Sequence, residues 1–263
     1  MSANPKVSII TVCYNSASTI ADTIESVLSQ DYPNIEYIVI DGKSKDNTVE
    51  IIRRYEDRIA HFISEKDGGI YDAMNKGLKL ATGDIVGLLN SDDFYIDSKA
   101  VSDLVNAMTQ AGTDSVFADL IIVDPVDPQK IRRYYDSSRW TPGSFRFGWM
   151  PAHTTFFIKR EWYEKLGLFS LKYKIASDFE MLVRLLYTGK ATYVYLQRPV
   201  IRMRAGGLST RGLSSTWTLN REIVQACRSH QMWTSLPLLF LKIPAKLLET
   251  WRPESRFAME KRN

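Results

Sequence analysis

Two neighbouring acids, Asp92 and Asp93, follow an apolar run from Ile85 to Leu89, with Asn90 and Ser91 between them. Such a run reads as a buried strand, and ligands of open α/β sheets gather beyond the carboxyl ends of these strands. Adjacent carboxylates repel each other, so the pair is tolerated where water, hydrogen bonds or a cation compensates it. A solvated acidic turn and a cation site both satisfy that condition. Asp41 and Asp67 close two earlier strand-like stretches, and Asp178 opens a later helical one. In a parallel sheet the ends of the second, third and fourth strands share one edge, so Asp41, Asp67 and the Asp92–Asp93 pair are expected at one cleft.

Several other chemistries are excluded. The chain has no G-x-G-x-x-G turn, no G-x-x-x-x-G-K-[ST] loop and no G-x-S-x-G elbow, which argues against dinucleotide enzymes, P-loop NTPases and serine hydrolases. His61, His153 and His230 lack zinc spacing. His153 follows a stretch rich in Gly, Trp and Pro, and stands either as a site residue or as a packed histidine beside an apolar strand. Cys13 and Cys227 are far apart, which indicates neither a disulfide framework nor a metal site.

The elements that must carry these residues alternate in type. Strands are expected at residues 7–14, 35–40, 59–64 and 85–89, with helices at 19–30, around Val49, Ile52 and Tyr55, and at 73–81. This is the pattern of a parallel sheet with right-handed crossovers. Further on, the reading gives a helix from an Asp97–Ser98 cap to Met108 and strands at 115–123 and 153–158. A short helix follows at 160–166, then one capped by Ser177–Asp178 and ended by Gly189. Two separate late strands are expected at 191–196 and 200–204, and a helix at 216–230. Residues 140–151 have no period and read as a binding loop or as packing.

A chain of 263 residues with 44% hydrophobic and 24% charged residues has ample material for a core. A net charge of +4 suits an anionic ligand or an acidic membrane surface and is too weak to indicate nucleic acid. No stretch reaches the roughly 18–20 apolar residues of a spanning helix, and the N-terminus lacks signal-peptide shape, so a cytoplasmic protein is expected, free or peripheral on the inner face of the plasma membrane.

Six stretches in order, 7–15, 41–48, 65–77, 88–93, 151–157 and 176–186, resemble the family 2 glycosyltransferases, inverting enzymes of the GT-A fold. The most specific are Glu65-x-Asp67-x-Gly69-Ile70-Tyr71-Asp72-Ala73-Met74-Asn75-Lys76-Gly77 and Asn90-Ser91-Asp92-Asp93. They are similar to the branch that builds bacterial exopolysaccharide, O-antigen and colanic-acid-type units. The resemblance implies an α/β fold with a Rossmann-like, mostly parallel sheet flanked by helices. It places a nucleotide-binding half at about 1–93, an acceptor half at about 94–214 and a helical extension at 215–263. The activity implied is transfer of one sugar from a UDP- or GDP-sugar to a hydroxyl of a lipid-linked glycan.

Roles follow from the same resemblance. Asn15, Asp41, Asp67, Asn75, Lys76 and Asp92 match donor-binding positions, and Asp92 and Asp93 match ligands of Mg²⁺ or Mn²⁺. Asp178 matches the general base, and an acid at a helix N-terminus is favoured as the anion that a base needs to be. His153, Arg202 and Arg204 are candidates for acceptor or diphosphate contacts, with Arg211 completing a lid around Gly206–Gly207; a solvated basic turn is the alternative. Residues 233–248 suit a membrane interface or a helix packed on the catalytic domain. Two departures stand out: Asn90 replaces an acid, and Gly42 follows Asp41 where many relatives carry a second acid. Gln225 and Arg228 have the Q-x-x-R-W spacing of processive synthases, but Ser229 replaces the Trp. The rival readings are a nucleotidyltransferase on a similar sheet and a catalytically silent nucleotide-sugar-binding subunit.

Overall fold

The computed structural model describes residues 4–206 and 213–240. Its centre is the first strand, β1 (Val7–Cys13), whose seven residues are all buried. A strand apolar on both faces needs cover on both sides, and the crossover helices provide it. β1 lies between β2 (Ile35–Asp41) and β4 (Ile85–Asn90), and β3 (His61–Ser64) adds outside β2, all parallel. Their carboxyl ends therefore share one edge.

Beyond β4 the sheet becomes mixed. β8 (Phe157–Lys159) pairs antiparallel with both β4 and β6 (Ser115–Val123). β9 (Tyr193–Arg204) runs parallel to β6 and carries β5 (Asp93–Tyr95) at its far edge, while β7 (Ile131–Tyr135) pairs with β6. The two late strands expected from the sequence are thus one strand, interrupted by register shifts on either side of Asp119. β5 and β7 are additions to the expected pattern. Gly87 marks the tightest seam: a β-carbon there would lie 2.3 Å from the Phe157 ring, so β8 approaches β4 only because that side chain is missing.

Two apolar layers sandwich the sheet. α1 (Ile20–Leu28), α2 (Thr48–Arg53) and α4 (Ala100–Ala111) bury Ile20, Ile24, Ile52, Leu104 and Met108 against one face. α3 (Ile70–Leu80), α6 (Ser177–Leu182) and α7 (Leu213–Ser229) bury Met74, Leu78, Phe179 and Ile223 against the other. α5 (Glu161–Leu166) and α8 (Leu236–Phe240) complete the α-helices among the described residues, and α6 runs on as a π-helical segment, Val183–Thr188. In the stretch at 140–151, Trp140 and Phe145 are buried edge to face, 5.0 Å between centroids, and Phe145 meets Phe179 of α6.

Two expected boundaries move. His153 begins a 3₁₀ turn, His153–Thr155, where a strand was expected. α6 has Ala176 at its N-cap with no capping side chain, and Ser177 donates instead to the Ser170 carbonyl. Gly207 and Arg211 of the expected lid, and residues 241–263 of the C-terminal extension, fall outside the described residues.

Candidate active site

The loops after β1 and β2 are stitched into one wall. Asn15 adopts a left-handed backbone at φ 51°. Its amide N–H donates to Ser44 Oγ and its side-chain oxygen accepts from the Lys45 N–H, both at 2.8 Å. Asp41 is fully buried beneath this wall. One oxygen accepts from Ser44 Oγ and the Cys13 thiol, the other from the Ser44 N–H and Ser64 Oγ. Those four donors use the four lone-pair sites of a carboxylate. In this structure the Asp41 carboxylate orders the loop.

The group that does reach the space beside Asp41 is Asp67. A β-carbon on Gly42 would lie 2.4 Å from Asp67 Oδ2 and 3.4 Å from the ring of Tyr14. The missing side chain after Asp41 is therefore filled by an acid from the β3–α3 loop, whose other oxygen accepts from the Gly69 N–H at 2.9 Å. Tyr14 stands 55% exposed at the end of β1, a free aromatic face next to that acid. Sequence reading missed Tyr14; a tyrosine at the last position of a buried strand was the available signal.

Asn75 and Lys76 serve the fold. The Asn75 amide donates to the Phe169 carbonyl at 2.9 Å and accepts from the Phe169 N–H at 2.8 Å, clasping the 167–175 loop to α3. The residue is buried, and the clasp uses one amide N–H and one lone pair of its side chain. Lys76 pairs with Glu65 at 2.8 Å and donates to the Lys66 carbonyl, so it braces the loop that delivers Asp67.

The acid turn is held from several directions. Arg204 is buried, ion-pairs with Asp22, donates to the Asp92 carbonyl at 2.9 Å and stacks over Phe94. The Asp93 carbonyl accepts from Thr23 Oγ1, and Ser91 and Ser16 hydroxyls meet at 2.8 Å. Asp92 is half-buried at this turn. Asp93 lies beneath it, and burial, reinforced by the Asp92 charge, pushes its carboxyl well above the usual range. Asp93 Oδ2 accepts a 3.3 Å bond from the Asn90 amide, the Arg204 backbone and charge also favour the ionised carboxyl, and Oδ1 is buried with no partner. A buried carboxylate with an orphaned oxygen beside a second carboxylate is the condition a cation relieves, so the pair fits Mg²⁺ or Mn²⁺. Among the described residues no cluster of three or more His, Cys, Asp or Glu could hold a metal, so further ligands must come from substrate phosphate and water.

The Arg202 guanidinium donates to the Pro128 carbonyl in the β6–β7 connection. Arg204 stays at the site, acting through the backbone of the acid turn.

Across the sheet edge, Asp178 sits in the first turn of α6 and is partly accessible. Its Oδ1 accepts from the Phe179 N–H at 2.8 Å and lies 3.4 Å from the Tyr71 hydroxyl, which also donates to the Ile175 carbonyl. Its Oδ2 lies 3.6 Å from His153 Nδ1. Asp178 and His153 share an apolar pit with Met74, Leu88, Phe156 and Phe169. Leu88 belongs to β4, which two residues later leads into the acid turn. The structure sets Asp67, Asp92 and Asp93 beyond the carboxyl ends of β3 and β4, and Asp178 beside His153 in the pit that Leu88 of β4 also lines.

The sheet order and this placement define a GT-A fold, and comparison with known proteins supports that. The Pyrobaculum calidifontis mannosyltransferase PcManGT, solved with GDP-Man and Mn²⁺, aligns with a TM-score of 0.61 over 98% of this chain and 84% of that one at 20% identity. The chain belongs to glycosyl transferase family 2, whose pattern matches residues 8–176. It is 32% identical over 193 residues, 70% of each chain, to the uncharacterized glycosyltransferase Rv1514c of Mycobacterium tuberculosis. Over a shorter stretch, 112 residues covering 42% of this chain and 43% of the relative, it is 40% identical to WfaP of Escherichia coli. That protein is named a UDP-Glc:α-D-GlcNAc-diphosphoundecaprenol β-1,3-glucosyltransferase. The protein is therefore a glycosyltransferase, and the nucleotidyltransferase and silent-subunit readings fall. No helix among the described residues is long and apolar enough to cross a membrane.

Proposed function

We propose that this enzyme transfers a single sugar, with inversion, from a UDP- or GDP-sugar to a hydroxyl of a lipid-linked glycan in bacterial surface polysaccharide synthesis. The observation that carries the reading is Asp178, an accessible carboxylate held by Tyr71 and Phe179 on the edge that also carries the acid turn. In this reading the base of the donor stacks on Tyr14 and hydrogen-bonds to Asp67, within the wall tied by Asn15 and Asp41. Asp92 and Asp93 hold the divalent cation, which when bound neutralises charge on the departing nucleoside diphosphate. Asp178 takes the proton of the acceptor hydroxyl as that oxygen attacks the anomeric carbon from the face opposite the leaving group. The apolar pit beside it excludes water, and His153 steadies the carboxylate from its second oxygen.

The lipid-linked acceptor is supported by the name of the WfaP relative. It suits a protein working at the inner face of the plasma membrane, with exposed Trp233 and Phe240 near the C-terminal helices as interfacial contacts. The test is incubation with UDP-glucose, UDP-GlcNAc or GDP-mannose, Mn²⁺ and synthetic GlcNAc-diphosphoundecaprenol, with the product linkage read by NMR. A product of anomeric configuration opposite to the donor's is expected. A product that retains the donor configuration, or transfer unaffected by chelation, would contradict the proposal.

A further inference from the structure

A reacting group must be held to within about 0.5 Å, yet α6 starts without a capping side chain of its own. Glu222, on α7 and buried, instead holds the three residues that lead into it: its Oε1 accepts from the Lys174 N–H, and its Oε2 from those of Ile175 and Ala176, each at 2.9 Å. Three charge-assisted bonds to consecutive amides fix the orientation of that peptide strand. The same strand is gripped from the opposite side, because the Ile175 carbonyl accepts from Tyr71, whose hydroxyl also faces Asp178. Glu222 lies 46 residues beyond the end of the family match, on a helix the shared pattern does not include.

We propose that Glu222 is a positioning residue: by clamping the 174–176 backbone from α7 it sets the orientation of Asp178 and makes the C-terminal helix part of the catalytic unit. α7 is suited to this, since Ile223, Val224, Ala226 and Cys227 around Glu222 are buried in the core that also holds Phe179. A second tie between the same helices, His230 Nε2 to Glu180 Oε1 at 2.8 Å, fixes their relative rotation. A Gln at 222 would offer one accepting oxygen in place of two and turn its NH₂ toward a backbone N–H.

The proposal rests on Asp178 being the base, so the test is a double-mutant cycle of E222Q and D178N. Turnover is followed with the donor and GlcNAc-diphosphoundecaprenol pair described above. E222Q is expected to lower kcat about tenfold or more while donor KM stays within about twofold, because a small misplacement of a reacting group is costly. In the D178N background the same change is expected to alter the residual rate by less than about twofold, since the two residues act as one unit. A Glu222 that merely stabilised the fold would cost as much in either background, and that result overturns the proposal. So does E222Q turning over at the wild-type rate while D178N is impaired. D178N at the wild-type rate strikes the base assignment itself. On the unaltered chain, the amides of residues 174–176 are expected to exchange hydrogen no faster than those within α6; exchange at open-loop rates overturns the clamp without any variant.

Discussion

Asp67 fills the notch that Gly42 leaves open: its Oδ2 lies 2.4 Å from where a β-carbon on that glycine would stand. An acid and a glycine 25 positions apart have in effect exchanged places beside the Tyr14 ring. Gly42→Ala should therefore push the Asp67 carboxylate aside and weaken donor binding. A drop of about tenfold is expected, the cost of one hydrogen bond to a charged group. Isothermal titration with the nucleotide donor and Mn²⁺ checks it, and Asp67→Asn should show a loss of similar size.

The Asn75 clasp predicts the opposite pattern. Asn75→Ala leaves the Phe169 N–H and carbonyl unpaired in a buried setting, which should cost about 1–3 kcal/mol of stability. Donor affinity should stay unchanged. Urea denaturation and donor titration on the same variant separate the two effects.

These two positions show how much of the site was legible in the sequence. Asp67, Asp92 and Asp93 stand beyond strand ends, and chain order alone places them on one edge, whereas Asp178 opens a helix and only the family resemblance gave it a place in the site. The Asn75 clasp was not readable, because its partner lies 94 residues away and leaves no local trace. Asp41 was partly readable, since an acid three residues before Ser44 forms a local turn with the Ser44 N–H, but the Ser64 and Cys13 donors are tertiary. The buried runs of β1, β2 and β4 were plain. β5 has three residues starting with an acid, and β7 carries two arginines, so neither shows an apolar period. The residues leading into α6 are held from another helix, and no pattern around Ser177 foretells it.

Arg204 supports the acid turn through the Asp92 carbonyl. Arg204→Lys cannot span Asp22, that carbonyl and the Phe94 face together, so it should raise the Mn²⁺ concentration for half-maximal turnover several-fold. Turnover measured against Mn²⁺ concentration at saturating donor checks this. An unchanged curve would remove Arg204 from metal-site support.

A separate prediction concerns stability in acid. Burial opposes ionisation of Glu36, but hydrogen bonds from Lys6, Ser8 and Thr82 lower its carboxyl from 4.5 to about 2. A pKa depressed in the folded state means that stability is fully present above pH 4.5 and is lost as pH falls toward 2. Asp114, pulled to about 2 by Lys159 and Thr192 against its own burial, adds to the same window. Glu36→Gln should flatten the fall in Tm across that range, as followed by calorimetry at a series of pH values.

The most direct test of the account is single-turnover transfer by Asp178→Asn beside the unaltered enzyme, with donor binding measured on both. Loss of a general base predicts a rate lower by about 10²- to 10⁴-fold with donor affinity and fold unchanged. Transfer at the original rate with donor still bound would contradict the assignment of Asp178, and with it the mechanism built on this edge of the sheet.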